Sequence, residues 1–514
     1  MAEQTTTLRA RIGAGMVATA VAVLAGLAAV PATASATDYD PVSDVYSMAS
    51  TAEVVGAEAW WDAGYTGAGI DVAVIDTGVS PVEGLAAPGK VIYGPDLSLE
   101  SQAGNLRNFD TYGHGTFMAG LIAGRDSSLT APYSAAPASA YRGIAPDARI
   151  VSIKVATADG GADVTQVIAA INWVMEHRYD NGLNIRIINL SYGTNTRQSS
   201  EIDPLSYAVE QAWKAGIVVV AAAGNTGYQR GEGAPGLANP AYNPWVIAVG
   251  GYDSKGTVST SDDVMGSYSA SSAGCGSCKK PDFVAVGSRL QGLRVPNSFI
   301  DGAAPGGRLG ERYFRGSGTS QAAAIASGSI ALILQKHPTM TPNQVKKFIT
   351  GDVAKVPGAS SEAQGAGEIR LAKLLTVKAP GAFTPKHRNG TGLGSVDASR
   401  GSDRLTKDGV VLNGEVDIFG KPFNAALVAQ LTATGSTWSG GMWNGSTWSG
   451  STWSGSTWSG STWSGSSWSG SSWSGSTWSG STWSGSTWSG STWSGSSWSG
   501  SSWSGGAWAT GSWG

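Results

Sequence analysis

Between about Thr51 and Thr376 the chain alternates two hydrophobic patterns. Short continuous apolar runs at Ile70 to Asp76, Ile150 to Val155, Ile185 to Leu190, Ile217 to Ala222 and Trp245 to Val249 have the length and β-branched content of strands buried on both faces. Segments of helical length stand between or after them, at Gly115 to Gly124, Val164 to Arg178, Leu205 to Ala215 and Gln321 to Lys336. Strands separated by helices cannot return as tight hairpins, so the pattern predicts an α/β fold. Its sheet is doubly wound and mostly parallel, with helices on both faces. Ligands of such sheets bind outside the carboxyl ends of the strands. Polar residues in small-residue turns follow three of the runs there: Asp76, then Ser191 with Gly193, then Asn225.

The pattern changes after Thr376. Residues 377–435 are rich in Gly, Ala and polar side chains, with one apolar patch from Gly409 to Phe423, and read as a linker or small module. Residues 436–514 form a low-complexity repeat, Ser-Thr-Trp-Ser-Gly with small variations. It carries sixteen of the 21 tryptophans, one at every fifth position from Trp438 to Trp513, and no charge. A five-residue step turns about 140° on an α-helix and alternates faces on a strand, so neither element gathers the rings on one side. A solenoid with five-residue sides would gather them. A flexible Gly/Ser spacer is the other reading.

The 514 residues carry a net charge of −3, with no basic stripe or acidic run, which argues against nucleic acid as a partner. Residues 1–36 read as an export signal. Arg9 and Arg11 precede the apolar run Gly13 to Val30, and Pro31 to Ala36 supplies small residues for cleavage after Ala36. No later stretch is apolar enough to span a bilayer, so the mature chain is expected to be secreted or extracellular. The only two cysteines, Cys275 and Cys278, fit a local loop disulfide in that compartment. Two thiols without a neighbouring histidine do not complete a zinc site.

Four histidines are present, and there is no HExxH. His177 and His337 end predicted helices beside basic residues, and His387 lies between Lys386 and Arg388. His114 differs, because glycines flank it at a helix start, where close approach of another chain is sterically open. Gly316-Ser317-Gly318-Thr319-Ser320 reads as a tight turn delivering Ser320 to the start of the Ala-rich helix. A serine there is either a plain N-cap or a nucleophile beside free backbone N–H groups.

Taken together, Ile75-Asp76-Thr77-Gly78, Gly113-His114-Gly115-Thr116 and Gly318-Thr319-Ser320 occur in the order Asp, His, Ser. With Val218-Val-Val-Ala-Ala-Ala-Gly-Asn225 and Pro281-Asp282-Phe-Val-Ala, they resemble the subtilisin-like serine peptidases, or subtilases, over about Thr51 to Thr376. The resemblance implies a serine endopeptidase acting on polypeptides. Ser320 would be the nucleophile, His114 the general base and acid, Asp76 its orienting carboxylate, and Asn225 an oxyanion-hole donor. It also implies that Ser191, Gly193, Gly160 and Gly161 lie along the edges that pair with an extended peptide. No cofactor is implied, and Leu121 to Gly143 lacks the usual calcium-loop pattern, so no calcium or other metal site is identified.

The sequence departs from the family at Phe117-Met118 and at Gln321-Ala-Ala-Ala-Ile325, where the family often has Met-Ala-(Ser/Thr)-Pro-His. Only the short segment 37–50 stands where a propeptide domain is usual, so either folding and control differ or that short segment serves in its place. The tail is expected to hold the enzyme to cell-wall or surface polysaccharide by ring stacking. The alternative is a binding or adhesive protein built on a retained scaffold.

Overall fold

The computed structural model describes residues 39–447, apart from 104, 228–235, 273–277, 403, 408–409 and 440, together with 497–499. The expected signal segment and most of the pentad tail lie outside these residues. Helices α1 (Met48–Val55) and α2 (Glu58–Asp62) lead into β1 (Asp71–Asp76) and β2 (Val91–Asp96). Next come α3 (His114–Ala123), β3 (Arg149–Lys154), α4 (Val164–His177), β4 (Ile185–Leu190), α5 (Pro204–Lys214) and β5 (Val218–Ala222). The strands β6 (Ile247–Asp253), β7 (Val264–Met265) and β8 (Phe283–Val286) follow. A small antiparallel sheet of β9 (Leu290–Leu293), β10 (Arg308–Leu309) and β11 (Tyr313–Gly316), with α6 (Phe299–Ala303) between its first two strands, precedes α7 (Thr319–Lys336). Then come α8 (Pro342–Ile349), β12 (Val353–Ala354) and β13 (Glu368–Ile369).

The main sheet runs β12-β13-β8-β6-β5-β4-β1-β3-β2, with β7 on the end of β6. All its pairings are parallel except those of β12 and β7. Every residue of β1, β5 and β6 is buried, which requires cover on both faces. Helices α3 and α7 pack on each other, and α7 crosses β4, β5, β6 and β8, whereas α4 and α5 form another packed pair. The α/β class predicted from the apolar runs is the one observed. β2 escaped the sequence reading because Gly94 and Pro95 interrupt its apolar pattern.

Local chemistry explains the helix starts. Asp163 and Gln166 form a reciprocal capping box on α4, and Asp203 caps α5 just before Pro204. Small side chains let α7 run buried from Thr319 to Leu334, with its Gly328 tight against Ile144 and the Ile122 carbonyl. Strand β1 lies between β3 and β4, with Asp76 opposite Lys154 and Ile75 opposite Leu190. The winding direction reverses at β1, so its carboxyl end opens on the crevice where such sheets bind ligands.

The segment after 376 packs on this core. The Arg400 guanidinium, fully buried, donates from Nε to Asp163 at 2.6 Å and from Nη1 to the Gly414 carbonyl at 2.8 Å. Thr194 and Thr196 hydroxyls donate to the Ser399 and Ala398 carbonyls, each at 2.6 Å. Strand β14 (Arg404–Lys407) pairs with β15 (Val410–Val411), and Ile418, Phe419 and Phe423 are buried. Helix α9 (Ala425–Thr434) packs on α5.

The first pentads are neither coil nor solenoid sides. They form a meander of two-residue strands, β16 (Trp438–Ser439), β17 (Met442–Trp443) and β18 (Ser446–Thr447), with Trp438 opposite Trp443. Trp438 Nε1 donates to the Ala169 carbonyl on α4 at 3.0 Å, and the Glu176 carboxylate accepts from the Thr437 amide at 2.7 Å. Further on, β19 (Ser497–Ser499) pairs antiparallel with β14. Among the described residues no helix is long and apolar enough to cross a membrane.

Candidate active site

Asp76 ends β1 and His114 opens α3, both fully buried. His114 Nδ1 lies 2.8 and 3.0 Å from the two Asp76 carboxylate oxygens. The glycines beside the histidine have a defined task. Gly113 sits at φ 106°, in the left-handed region, and a Cβ on Gly115 would come within 2.2 Å of the Gly78 carbonyl oxygen. Only glycine at 115 lets the helix start dock this closely on the turn after β1.

A brace behind the pair was not read from the sequence. Buried Asp110 accepts from the Thr77 hydroxyl at 2.6 Å and from the Gly113 and Thr116 amides, each at 2.7 Å. The same Thr77 hydroxyl accepts from the Gly115 amide at 2.8 Å, and the Thr77 amide donates to Asp76 Oδ1 at 2.7 Å. Burial pushes the Asp110 carboxyl above its ordinary value, and the hydrogen bonds from Thr77, Thr116 and Gly113 oppose that rise. Below it Lys154 Nζ pairs with Glu100 at 2.9 Å and donates to the Thr77 carbonyl at 2.8 Å. The available signal was Asp110 itself, a carboxylate four residues before His114.

Ser320 is the second residue of α7 and is buried. Its neighbour Thr319 holds Asn225, with the Thr319 amide and hydroxyl each donating to Asn225 Oδ1 at 2.9 Å. The Gly224 amide donates to that hydroxyl at 3.1 Å. Two donors on Oδ1 define the amide's orientation, and Nδ2 then faces Gly318, 3.0 Å from where a Cβ there would stand. Thr319 is thus a second residue that the sequence reading missed. The packing of α3 on α7 places the helices that carry His114 and Ser320 in one layer, at the end of a helix whose first N–H groups have no intrahelical acceptor.

The expected peptide-binding positions fall into two groups. Ser191 is buried and Gly193 half-buried, and the Ala238 methyl fills the space beside both Gly193 and Gly224, at 2.7 and 3.3 Å from their Cβ positions. The Ser191–Gly193 turn therefore adjoins the turn bearing Asn225. A Cβ on Gly160 would stand 3.0 Å from the Tyr112 ring, and one on Gly161 3.1 Å from Leu405 of β14. Tyr112 stands two residues before His114 and stacks on Phe299, with centroids 5.6 Å apart and planes at 12°. Cys278 is disulfide-bonded, and Cys275 lies outside the described residues. Among the described residues no group of three or more His, Cys, Asp or Glu side chains is arranged to hold a metal ion.

A mostly parallel α/β sheet, with an Asp–His pair at its switch point and a serine opening the helix beside it, defines the subtilisin-like class. Residues 67–367 match the subtilase family, Peptidase S8, and the chain belongs to that family. It is 35% identical over 307 residues to the serine protease AprX of Bacillus subtilis (strain 168), covering 59% of this chain and 65% of that protein. Over 297 residues it is 31% identical to subtilisin NAT of Bacillus subtilis subsp. natto, covering 57% of this chain and 62% of that protein. Over 287 residues it is 30% identical to subtilisin DY of Bacillus licheniformis, covering 56% of this chain and 84% of that protein. The chain thus spans just under two thirds of the length of the first two relatives.

Proposed function

We propose that this protein is a secreted serine endopeptidase that hydrolyses polypeptides through an acyl-enzyme. The observation that carries this reading is the buried Asp76–His114 pair beside a helix that begins with Thr319 and Ser320, with the Asn225 amide turned toward the same turn. In the proposed reaction Ser320 Oγ attacks the scissile carbonyl and passes its proton to His114. Asp76 holds the imidazole in the tautomer that can take that proton and stabilises the cation formed. Asn225 Nδ2 and the Ser320 amide donate to the oxyanion. Collapse expels the amine, which takes the proton from His114. Water then attacks the ester by the same route and restores the serine.

Substitution Ser320→Ala should reduce peptide hydrolysis to background while the unfolding transition stays in place. Asn225→Ala should lower kcat by about 10²–10³-fold, the general size for losing one preorganised oxyanion donor. A fluorophosphonate should label Ser320 only in the folded protein. Undiminished turnover in the Ser320→Ala variant would end the triad assignment.

The tail is proposed to hold the enzyme to cell-wall or surface polysaccharide. What favours this is the uncharged tryptophan repeat itself, whose first pentads are anchored on α4 through Trp438. Truncation is best placed after Thr447, because Trp438 and Trp443 pack on the core. Wall retention lost with hydrolysis kept supports this division. Hydrolysis absent in both forms, with retention intact, would favour the adhesive alternative.

A further inference from the structure

Gln321 directly follows Ser320 and is completely buried, yet neither Oε1 nor Nε2 has a hydrogen-bond partner among the described residues. A buried carboxamide with donor and acceptor both unsatisfied costs about 1–3 kcal/mol for each group left unpaired. Such groups are rare in native proteins and are concentrated where a structure is built for something else to bind. The position makes this cost informative. Gln321 Oε1 lies 2.7 Å, and Asn225 Nδ2 3.0 Å, from one common point, the place a Cβ on Gly318 would occupy. Two side-chain amides therefore converge on the bare face of Gly318, one residue before Thr319 and two before Ser320.

The two amides differ in how they are held. Asn225 has its oxygen clamped by two Thr319 donors, so its donor faces the turn before any substrate arrives. Gln321 has no such clamp among the described residues, and a carboxamide can rotate to offer either its oxygen or its NH₂ to the same place. We infer that Gln321 is a second side-chain amide of the reaction centre, which hydrogen-bonds the scissile peptide group as it becomes tetrahedral. Resting on the peptidase reading, this assigns Gln321 a part in transition-state binding that neither the Asp–His pair nor Asn225 supplies. The ligand is the reacting main-chain amide, which carries both an N–H and a C=O to match the carboxamide.

The test is the near-isosteric Gln321→Met, which keeps side-chain length and removes both polar groups. On a peptide substrate it should lower kcat by about 10-fold or more, with KM within about 2-fold, because the bond is made only in the transition state. The affinity of a peptide boronic acid, which forms a tetrahedral adduct, should fall in parallel. The affinity of the matching cleaved peptide should not. The same variant should unfold at higher temperature than the parent, since it relieves two buried unsatisfied groups. Equal kcat in the two proteins, or equal loss of affinity for boronate and cleaved peptide, overturns the inference. Parent protein that neither cleaves peptides nor reacts with fluorophosphonate would instead refute the peptidase reading, which separates the two failures.

Discussion

Two sets of buried acids lie toward opposite ends of the main sheet and are handled in opposite ways. Behind the Asp76–His114 pair, Asp96, Glu100 and Asp110 are all fully buried, and each is supplied with donors. Glu100 accepts from Thr111 at 2.7 Å and from the Ala158 amide at 2.7 Å, besides pairing with Lys154, and Asp96 accepts from Ser98 and from the Asn108 amide. At the far side of the sheet Glu368 on β13 is 1% exposed and has no comparable set of amide and hydroxyl donors among the described residues. Its nearest cation is Arg370 at 4.0 Å, and it faces the carboxyl of Asp263, just before β7. Burial, and then the neighbouring Asp263, push the Glu368 carboxyl up to about 8. One cluster sets three hydrogen-bonded carboxyls around a single cation, and the other avoids charge by sharing a proton. The first gives a site of defined geometry, and the second trades a charge for a shared proton.

The contrast breaks most sharply at Lys154. Replacement Lys154→Met removes the cation from Glu100 and should cost about 3–5 kcal/mol of stability at neutral pH, read by denaturant unfolding. The cost should shrink as pH falls and the acids protonate. A constant cost across pH would show that Lys154 acts by packing alone. Next in size is Thr77→Val, which takes one donor from Asp110 and the acceptor from the Gly115 amide. A loss of about 1–3 kcal/mol is expected, with lower kcat, because the turn carrying Asp76 and His114 loosens together. Normal kcat with lowered stability would make the brace purely structural.

The effect at Glu368 builds gradually with pH and is small within any one pH unit. The Glu368 proton stays on in the folded chain up to about 8 but leaves near 4.5 once the chain unfolds. The folded state therefore binds more protons across that window, and stability falls as pH rises through it, by up to about 1.4 kcal/mol per pH unit for one proton. Glu368→Gln should flatten this slope and leave the variant increasingly the more stable protein toward pH 8. Parallel stability curves would remove the shared proton from the account.

Much of the fold was legible because strand and helix patterns are local. The apolar runs ending at Asp76 and Leu190 became β1 and β4 nearly residue for residue, and Gly318 to Ser320 did open a helix. The run begun at Trp245 was cut short at Val249, whereas β6 continues to Asp253 because Gly250, Gly251 and Tyr252 keep pairing with β8. The segment after 376 looked like a connector because its anchors are single polar residues. Arg400 bonds to Asp163 across 237 positions of sequence. No periodicity signals such a pair.

What the sequence determined by itself is where chemistry can stand: Asp76 at a strand end, His114 between glycines, Ser320 and Asn225 in small-residue turns. Turn chemistry, helix starts and hydrophobic period are decided by neighbours a few residues away, so they survive being read in one dimension. Only the tertiary structure decided which of these groups are satisfied. It set Thr319 on Asn225 and Lys154 on Glu100, turned Glu368 against a second carboxyl, and left Gln321 buried without a donor or acceptor among the described residues. The energy of a buried polar group depends on what faces it across the fold, and that is a property of packing rather than of order along the chain.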